Sequence, residues 1–595
     1  MRPSKLVLTS SVLVLSATLL CCPKLSAQSS GSPTGLPAGG NSAPAASPSP
    51  VPLLRVNARE VEVDINVTDA KGNFVHGLTR DNFTVLEDGR QISPRSFREH
   101  RSDQEQAEPA SAAKSSLPPN TFTNTVAPVT ARPLNILLLD SLDTPVATQS
   151  IVKKRMLDFV DKMAAGTRVA VFSLSPIGQL SVVQGFTTDP ELLKNALKSK
   201  KLNLGISTLE DTGQDVHVDM SASMFEGQPT NQSATQAPPQ QAPPQVHYDQ
   251  DLECMHAATR GQYSLTAMNQ IARYLSGVPG RKNLIWYTGL FPAAMSNKHS
   301  QICYDFRQDM NAAESLLAHS HVSVYPVDSR ALDILAKNLP NSIIVQRQNS
   351  EHLVMEEVAE STGGKAIYNT NDLAGAAAQA IDAGSNYYTI LYTPPNQTMD
   401  TRRRSISVKV DQPDLTLNYT RGYHALPPDI LVNGKAVERA TPLQSAMLPG
   451  TLQPTEILFR VNVASAPATD ATLPPGSNPD PKAMKSPYRH LTLNYNIDIN
   501  GIQFDSSPDG NYHGQFEYAV IVYDNSDGKT VNSSTMAAKP SLPPAVYQSM
   551  LDSGANLRQE IAVPAKGEYI LRIGVHDLTT DHVGAIEVPV STLTP

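Results

Sequence analysis

The chain has 595 residues, a net charge of −8, and 40% hydrophobic against 17% charged residues. That length suggests about three or four domains of ordinary size, each able to bury a core. The mild acidity, with no basic block, argues against a nucleic-acid partner.

The N-terminus joins Arg2 and Lys5 to an apolar stretch from Leu6 to Leu20 and then to Leu25, Ser26 and Ala27. This is the pattern of a secretory signal over residues 1–27, cleaved after Ala27. An alternative, a lipoprotein anchored through Cys21 or Cys22, is disfavoured by the bulky Leu20 before Cys21. Residues 28–52 are mostly Ser, Pro, Gly and Ala and read as a flexible tether. No later stretch is apolar enough to span a bilayer, so the mature chain is expected to be exported without a transmembrane segment, to the periplasm, the outer surface or the medium.

In the segment 53–100, Val61, Val63, Ile65 and Val67 alternate with Glu62, Asp64 and Asn66, which predicts a strand with one buried face. Phe83 to Leu86, followed by Glu87, Asp88, Gly89 and Arg90, predicts a second strand and a hairpin turn. Residues 101–131 read as a linker.

From 132 to 384 strands and helices alternate. Strands are expected at 134–139, 168–174, 180–183, 283–287, 322–328 and 365–368, and helices at 150–163, 190–198, 264–275, 306–319, 352–361 and 372–383. This order predicts a doubly wound, Rossmann-like α/β domain. Residues 202–253 are a Gln-, Pro- and Ser-rich insertion that cannot bury enough apolar surface to order itself. Trp286, the only tryptophan, falls inside an apolar strand and reads as core.

Residues 385–425 return to strand patterning at 387–392, 405–410 and 415–419. These strands are too few to stand alone, as are those of 53–100, so the two segments are expected to pair into one sandwich with the α/β domain inserted between them. Separate β modules are the alternative. Arg402, Arg403 and Arg404 form the one basic cluster and read as a solvated strand end. Residues 442–595 carry six short strand-like runs with no helical period, which implies a C-terminal β-sandwich of immunoglobulin or fibronectin type.

Without the signal, Cys254 and Cys303 are the remaining thiols. In an oxidising compartment they are expected to form a disulfide tethering two carboxyl-edge loops, with two surface thiols as the alternative.

The apolar run Leu134 to Leu139 ends in Asp140, Ser141, Asp143 and Thr144. In an open α/β sheet the loop at a strand's carboxyl end is where ligands bind, so oxygen donors for a hard cation could converge there.

The order of elements resembles a von Willebrand factor A domain. The phrases LLLDSLDTP, RVAVFSL, GFTTDPELL, GRKNLIWYTG and NYYTILYTP resemble the VWFA-related secreted proteins of acidobacteria, whose N-terminal module is an immunoglobulin-like β unit. The resemblance covers roughly residues 55–425. It implies a metal-ion-dependent adhesion site built from Asp-x-Ser-x-Ser after the first strand, a Thr from a second loop and an Asp after the fourth strand. Here the third position is Leu142, the fifth is Thr144, and the fourth-strand position reads Thr288-Gly289. The site is therefore degenerate. The residues left for Mg²⁺ or Ca²⁺ are Asp140, Asp143, Thr144 and Thr288, with Ser264 or Thr266 as the loop contribution. The competing reading is that Asp140 and Asp143 cap the following helix or settle the turn.

Catalytic patterns are weak. His319 and His321 form no zinc motif, and Ser361-Thr362-Gly363-Gly364 most simply ends a helix. The expectation is a secreted, non-enzymatic interaction protein of adhesion type. It would bind a protein or surface glycan through the carboxyl-edge loops. A structural or assembly role in the cell envelope is the alternative, and a metal-dependent hydrolase built on Asp140 and Asp143 a third.

Overall fold

The computed structural model describes residues 60–102, 117–125, 133–205 apart from 203, 248–289 apart from 279, 306–330, 341–425 apart from 399 and 401, and 441–594 apart from 469–471. The signal segment 1–27, the tether 28–52, Cys303 and most of the low-complexity insertion lie outside the described residues.

The N-terminal strands are β1 (Val61–Thr68), β2 (Phe83–Glu87), β3 (Arg90–Ile92), β4 (Ser96–His100) and β5 (Thr121–Thr123). The α/β domain follows as β6 (Leu134–Asp140), α1 (Val146–Lys162), β7 (Arg168–Leu174), β8 (Leu180–Thr187), α2 (Pro190–Lys198), α3 (Tyr248–Leu275), β9 (Lys282–Thr288), α4 (Arg307–His319), β10 (Val322–Asp328), α5 (Asn341–Thr362) and α6 (Leu373–Ser385). Then come β11 (Tyr387–Tyr392), β12 (Arg403–Val410), β13 (Thr416–Tyr419) and β14 (Gly422–His424). The C-terminal region holds α7 (Pro442–Ala446), β15 (Phe459–Ser465), β16 (Tyr488–Ile497), β17 (Phe504–Ser506), β18 (Tyr512–Gly514), β19 (Phe516–Asp524), β20 (Thr530–Ala538), β21 (Ser541–Leu542), α8 (Pro544–Ser553), β22 (Ala555–Pro564), β23 (Tyr569–Asp577) and β24 (Val583–Pro589).

The central sheet has the order β10-β9-β6-β7-β8. Neighbours are parallel except β8, which runs antiparallel at the edge. Every residue of β6 is buried. Ile136 and Leu138 pack under α3, α4 and α5, while Leu137 and Leu139 pack under α1, α2 and α6. A strand covered on both faces needs a continuous apolar run, and each such side chain contributes roughly 1.5–3 kcal/mol by leaving water. Asn135 interrupts the run with its own amide satisfied, since Asn283 Nδ2 donates to its Oδ1 at 2.8 Å and its Nδ2 donates to Arg168 O at 3.1 Å, while Asn283 Oδ1 is left without a hydrogen-bond partner. Gly384 presses on that amide pair so closely that a Cβ there would meet Asn283 at 1.9 Å.

The strands on either side of this domain pair with each other. One sheet has the order β13-β1-β11-β4 and another β14-β12-β2-β3. In the register, Val63 faces Ile390 and Val408 faces Val85. The two sheets enclose Val63, Ile65, Val67, Val85, Ile390 and Val408. The turn between β2 and β3 uses Asp88 and Gly89 at φ of 48° and 78°, the paired left-handed conformation of a two-residue hairpin.

The expectation of a single buried face on β1 is corrected. Its polar face is covered by the α/β domain, where Asn66 Nδ2 donates to Asn386 O at 2.6 Å and Asp64 pairs with Arg281 at 3.3 Å. Arg404 is also buried rather than solvated: its guanidinium donates to Thr398 O at 2.9 Å and to Asp400 at 2.8 Å. Residues 365–368 form no strand, only a bridge between Ile367 and Val327.

The C-terminal region has two four-stranded sheets, β22-β16-β15-β5 and β20-β19-β23-β24, and a small sheet β17-β18-β21. Its core includes Val461, Leu493, Val520, Leu571 and Ile573. The six expected strands are joined by β20 and by two helices, α7 and α8, that the strand reading left out. β20 is a mostly polar run, Thr530 to Ala538, whose first half turns Asn532 and Ser534 inward through hydrogen bonds. Asn532 Nδ2 donates to Ala562 O at 2.8 Å, and Gln559 donates to Ser534 O at 3.0 Å.

The predicted linker 101–131 also needs correction. Thr121 to Thr123 forms β5, an edge strand on β15 of the C-terminal sandwich. Phe122 packs against that core. Asn124 is buried; its Nδ2 donates to Pro454 O at 3.0 Å and Ile457 O at 2.8 Å, and its Oδ1 accepts from Phe459 N at 2.9 Å. The sandwich is fixed to the end of α3 by Arg273, which donates to Glu456 at 2.6 Å and to Asp581 O at 2.8 Å.

Asn124→Ala would orphan those buried groups and is expected to cost about 2–3 kcal/mol. Urea denaturation of the full chain measures this, and hydrogen exchange of the amides at 459–463 should quicken. Unchanged exchange there would mean that β5 does not hold the sheet.

Candidate functional site

The carboxyl edge of the central sheet gathers Asp140, Asp143, Thr144 and Thr288, all buried. Leu142, at the third position of the turn, points into the core beneath α3, α4 and α5. Asp140 Oδ1 accepts from the amides of Leu142 and Asp143, each at 3.0 Å, and Oδ2 accepts from the indole N–H of Trp286 at 3.0 Å. The Thr288 hydroxyl also bonds to this carboxylate. Asp140 therefore settles the turn. Neither aspartate caps α1, whose N-cap is Pro145 with no side-chain bond.

Asp143 meets α3. Its Oδ2 accepts from the Ser264 hydroxyl at 3.0 Å, and its Oδ1 lies 3.2 Å from Arg260 Nε. Both members of that ion pair are buried. Ser264 is a contact within the helix rather than a loop donor. Thr266 takes no part: it is exposed and donates to Gln262 O at 2.8 Å.

Burial pushes the Asp140 carboxyl up to about 6, against its hydrogen bonds. Burial, and then the charge of Asp140, raise Asp143 well above the usual carboxylate range, against the pull of Arg260. The pair resists carrying two negative charges, and Arg260 supplies the compensating positive charge.

These residues do not fit a divalent cation as they stand. A hard cation needs several free oxygen donors, including carboxylates, in near-octahedral array. Both oxygens of Asp140 and of Asp143 face N–H, O–H or guanidinium groups. The oxygens of the turn without a hydrogen-bond partner are Ser141 Oγ, Thr144 Oγ1 and Asp143 Oδ1, and the last of these is already opposed by the Arg260 guanidinium at 3.2 Å. Among the described residues no group of three His, Cys, Asp or Glu side chains could hold a metal.

A second ion network closes the same edge. Arg330 donates to both oxygens of Asp328, at 2.9 and 2.8 Å, and to Glu351 at 2.6 Å. His352 Nε2 lies 2.9 Å from Asp328 Oδ2 and stacks on Tyr368 at 4.1 Å. Burial of Asp328 works against its charge, but His352 and Arg330 outweigh it and hold the carboxyl below its ordinary range.

Sequence reasoning missed Arg260, Arg330, Glu351 and His352. The signal for Arg260 was its spacing from Ser264: i and i+4 share one helix face, provided the helix begins before 260. The helix begins at Tyr248, so Cys254 lies within it and not in a loop before it. The proposed partner Cys303 falls outside the described residues. His319 and His321 do not converge on this edge; His321 lies 3.5 Å from Glu62 of β1.

Around the rim stand three exposed apolar side chains: Val146 at the start of α1, Ile177 in the β7–β8 turn and Leu204. Their segments are tied together. Gln149 of α1 exchanges hydrogen bonds with the backbone of Gly205 at 2.9 and 3.0 Å, and a Cβ on Gly205 would lie 3.5 Å from Pro176.

Arg260→Met would strand Asp143 as a buried carboxylate without its counter-ion and is expected to cost about 3–5 kcal/mol. Adding Asp143→Leu should restore most of that loss in a double-mutant denaturation cycle. Additive losses would show that the pair is not coupled. Because the Asp140 carboxyl titrates higher in the folded chain, the wild type should lose stability relative to Asp140→Asn as pH rises from 3.8 to about 6. The difference should level off above that, and melting temperatures across this range read it.

No protein-family model matches the chain, and no curated protein does. Among solved structures it is similar to an aerotolerance-related membrane protein from Bacteroides fragilis, at 13% identity and a TM-score of 0.22, over 42% of this chain and 98% of that one. It is similar to a von Willebrand factor type A protein from Catenulispora acidiphila at 8% identity and a TM-score of 0.21, over 79% and 73%. It is also similar to proximal thread matrix protein 1 of the mussel byssus, solved with a zinc-occupied MIDAS motif, at 11% identity and a TM-score of 0.21, over 44% and 48%. At such scores these likenesses carry no argument, and the functional reading rests on the chain's own geometry.

Proposed function

We propose that this chain is an exported, non-enzymatic interaction protein that meets a protein partner at the carboxyl edge of its α/β sheet, without a metal. The observation that carries the reading is the exposed apolar rim of Val146, Ile177 and Leu204 at that edge. Apolar side chains standing together in water mark interaction surfaces more than solvated ones. They suit a protein partner better than a surface glycan, whose hydroxyls need polar donors and acceptors.

The other faces near the sheet support the choice. The N-terminal sandwich covers the amino edge through Arg281, Asp64 and Asn66. The C-terminal sandwich sits against the end of α3 through Arg273. Behind the rim, Arg260 and Arg330 neutralise the carboxylates internally, so recognition is by shape and apolar contact. Asp140 is taken up by the turn amides and Trp286, and Asp143 by Ser264 and Arg260, which supports a non-catalytic reading of the pair. Among the described residues no helix is long and apolar enough to cross a membrane.

Two measurements test this. A photo-crosslinking residue at position 177 should trap a defined protein species in the producing cells, and one at 546, also exposed, on α8, should not; no species at 177 above that control overturns the reading. Calorimetric titration of Mg²⁺, Ca²⁺ and Mn²⁺ into chelator-treated protein should show no saturable binding at millimolar cation. Saturable binding that Asp140→Ala abolishes would restore a metal-dependent mechanism.

A further inference from the structure

We propose that the cleft between α4, α5 and the β12–β14 pair binds an alkylammonium group, with the carboxyl group of Glu314 as its buried partner. The cleft has a volume of about 470 Å³. Glu314, Glu356, Glu357 and Glu360 line it, opposed by Arg403 and His424. It runs along α5 from Leu353, beside His352 of the carboxyl-edge network, to Ser361, and the proposal does not depend on the reading above.

Glu314 is the feature that needs explaining. It is 4% exposed, yet it faces this cleft, and its Oε1 has no hydrogen-bond partner. Its neighbours on α4, Met310, Ala313 and Leu317, belong to the apolar core. A buried carboxyl with an unmet acceptor costs stability that an apolar residue at the same position would not. Burial pushes this carboxyl up to about 8, with Glu357 adding to the effect and the Ser361 hydroxyl and Arg403 opposing it. A cation delivered into the cleft would satisfy the orphan oxygen and favour the ionised form.

The occupant's class follows from the walls. The volume falls in the range of small-molecule sites and is far larger than a bare ion requires. Among the described residues no three His, Cys, Asp or Glu side chains converge as a metal site would need. Leu353, 65% exposed, supplies an apolar wall. A charged head on an aliphatic stem matches both features, the stem along Leu353 and the ammonium at Glu314. Either a free polyamine or the lysine side chain of another protein carries that chemistry.

Calorimetry on the full chain with cadaverine, with Nα-acetyl-lysine methylamide and with calcium chloride tests this. Saturable amine binding is expected, weakened about tenfold or more in Glu314→Gln, which keeps the side chain's shape. Binding of cadaverine alone identifies a free-amine site, whereas equal or tighter binding of the capped lysine identifies a protein lysine. No saturable heat from either amine, or unchanged affinity in Glu314→Gln, overturns the proposal. So does calcium binding in the absence of amine binding. Should Glu314→Gln fail to fold, the exposed pair Glu357→Gln and Glu360→Gln is expected to weaken amine binding about two- to fivefold, and Arg403→Glu to strengthen it. No effect from either variant overturns the proposal.

Discussion

The guanidinium of Arg281 is enclosed at the amino edge of the central sheet, and the seating of the N-terminal sandwich depends on it. Removing such a group from water costs several kcal/mol per ion unless its surroundings answer the charge. Here the answers come from four elements. Asp64 of β1 lies at 3.3 Å, the Tyr325 hydroxyl of β10 at 3.3 Å, the Gly363 carbonyl after α5 at 2.9 Å, and the Tyr387 ring of β11 has its centroid 4.8 Å away. Burial works against the guanidinium's charge, and Tyr325, Asp64 and Tyr387 more than offset it, so the group stays charged. One side chain thereby fixes two sandwich strands against the amino edge of the sheet.

That seating gives the carboxyl edge its meaning. An open α/β sheet offers two ends, and among the described residues the N-terminal sandwich packs against the amino one. At the carboxyl end the carboxylates Asp143, Asp328 and Glu351 meet Arg260, Arg330 and His352 over distances of 2.6–3.2 Å. A field neutralised at such short range does not reach far into solvent. On the proposed function, recognition at this edge falls to the shape of the rim and to Val146, Ile177 and Leu204. The exchange is a physical one: a fixed guanidinium stands against Asp143, and the edge gains stability at the expense of a position that an outside group could share.

Much of the α/β domain was legible because burial on both faces leaves an unmistakable mark. The runs Leu134 to Leu139, Val169 to Leu174 and Val322 to Val327 are apolar but for Asn135, Ser173 and Ser323, and each became a buried strand. Asp140 and Asp143 were legible as residues of the edge from their place after such a run. What stood against them was not, because Arg260 and Glu351 are ordinary charged residues until the fold turns them inward. β20 was hidden for the opposite reason: Asn532 and Ser534 look like surface residues, and only partners distant in sequence, Ala562 and Gln559, make their burial affordable. β5 has three residues and no period at all, and its partner strand begins at Phe459.

That short strand also decides how the chain is divided. After β4 the chain goes first to the C-terminal sandwich as β5, then builds the α/β domain, then returns to complete the N-terminal sandwich with β11 to β14, and only afterwards finishes the C-terminal one. Each β body is thus split by the α/β domain, and neither can close until residues more than 250 positions apart have met, as in the pairs Val63 with Ile390 and Val461 with Phe122. Contacts of such long sequence separation slow folding and bind the fates of the parts together. A chain cut after β14 would leave Phe122 without its core and Asn124 without its three partners, and would free Arg273 from Glu456. The three bodies are therefore not beads joined by linkers but one frame, in which the α/β domain is anchored at both sandwiches.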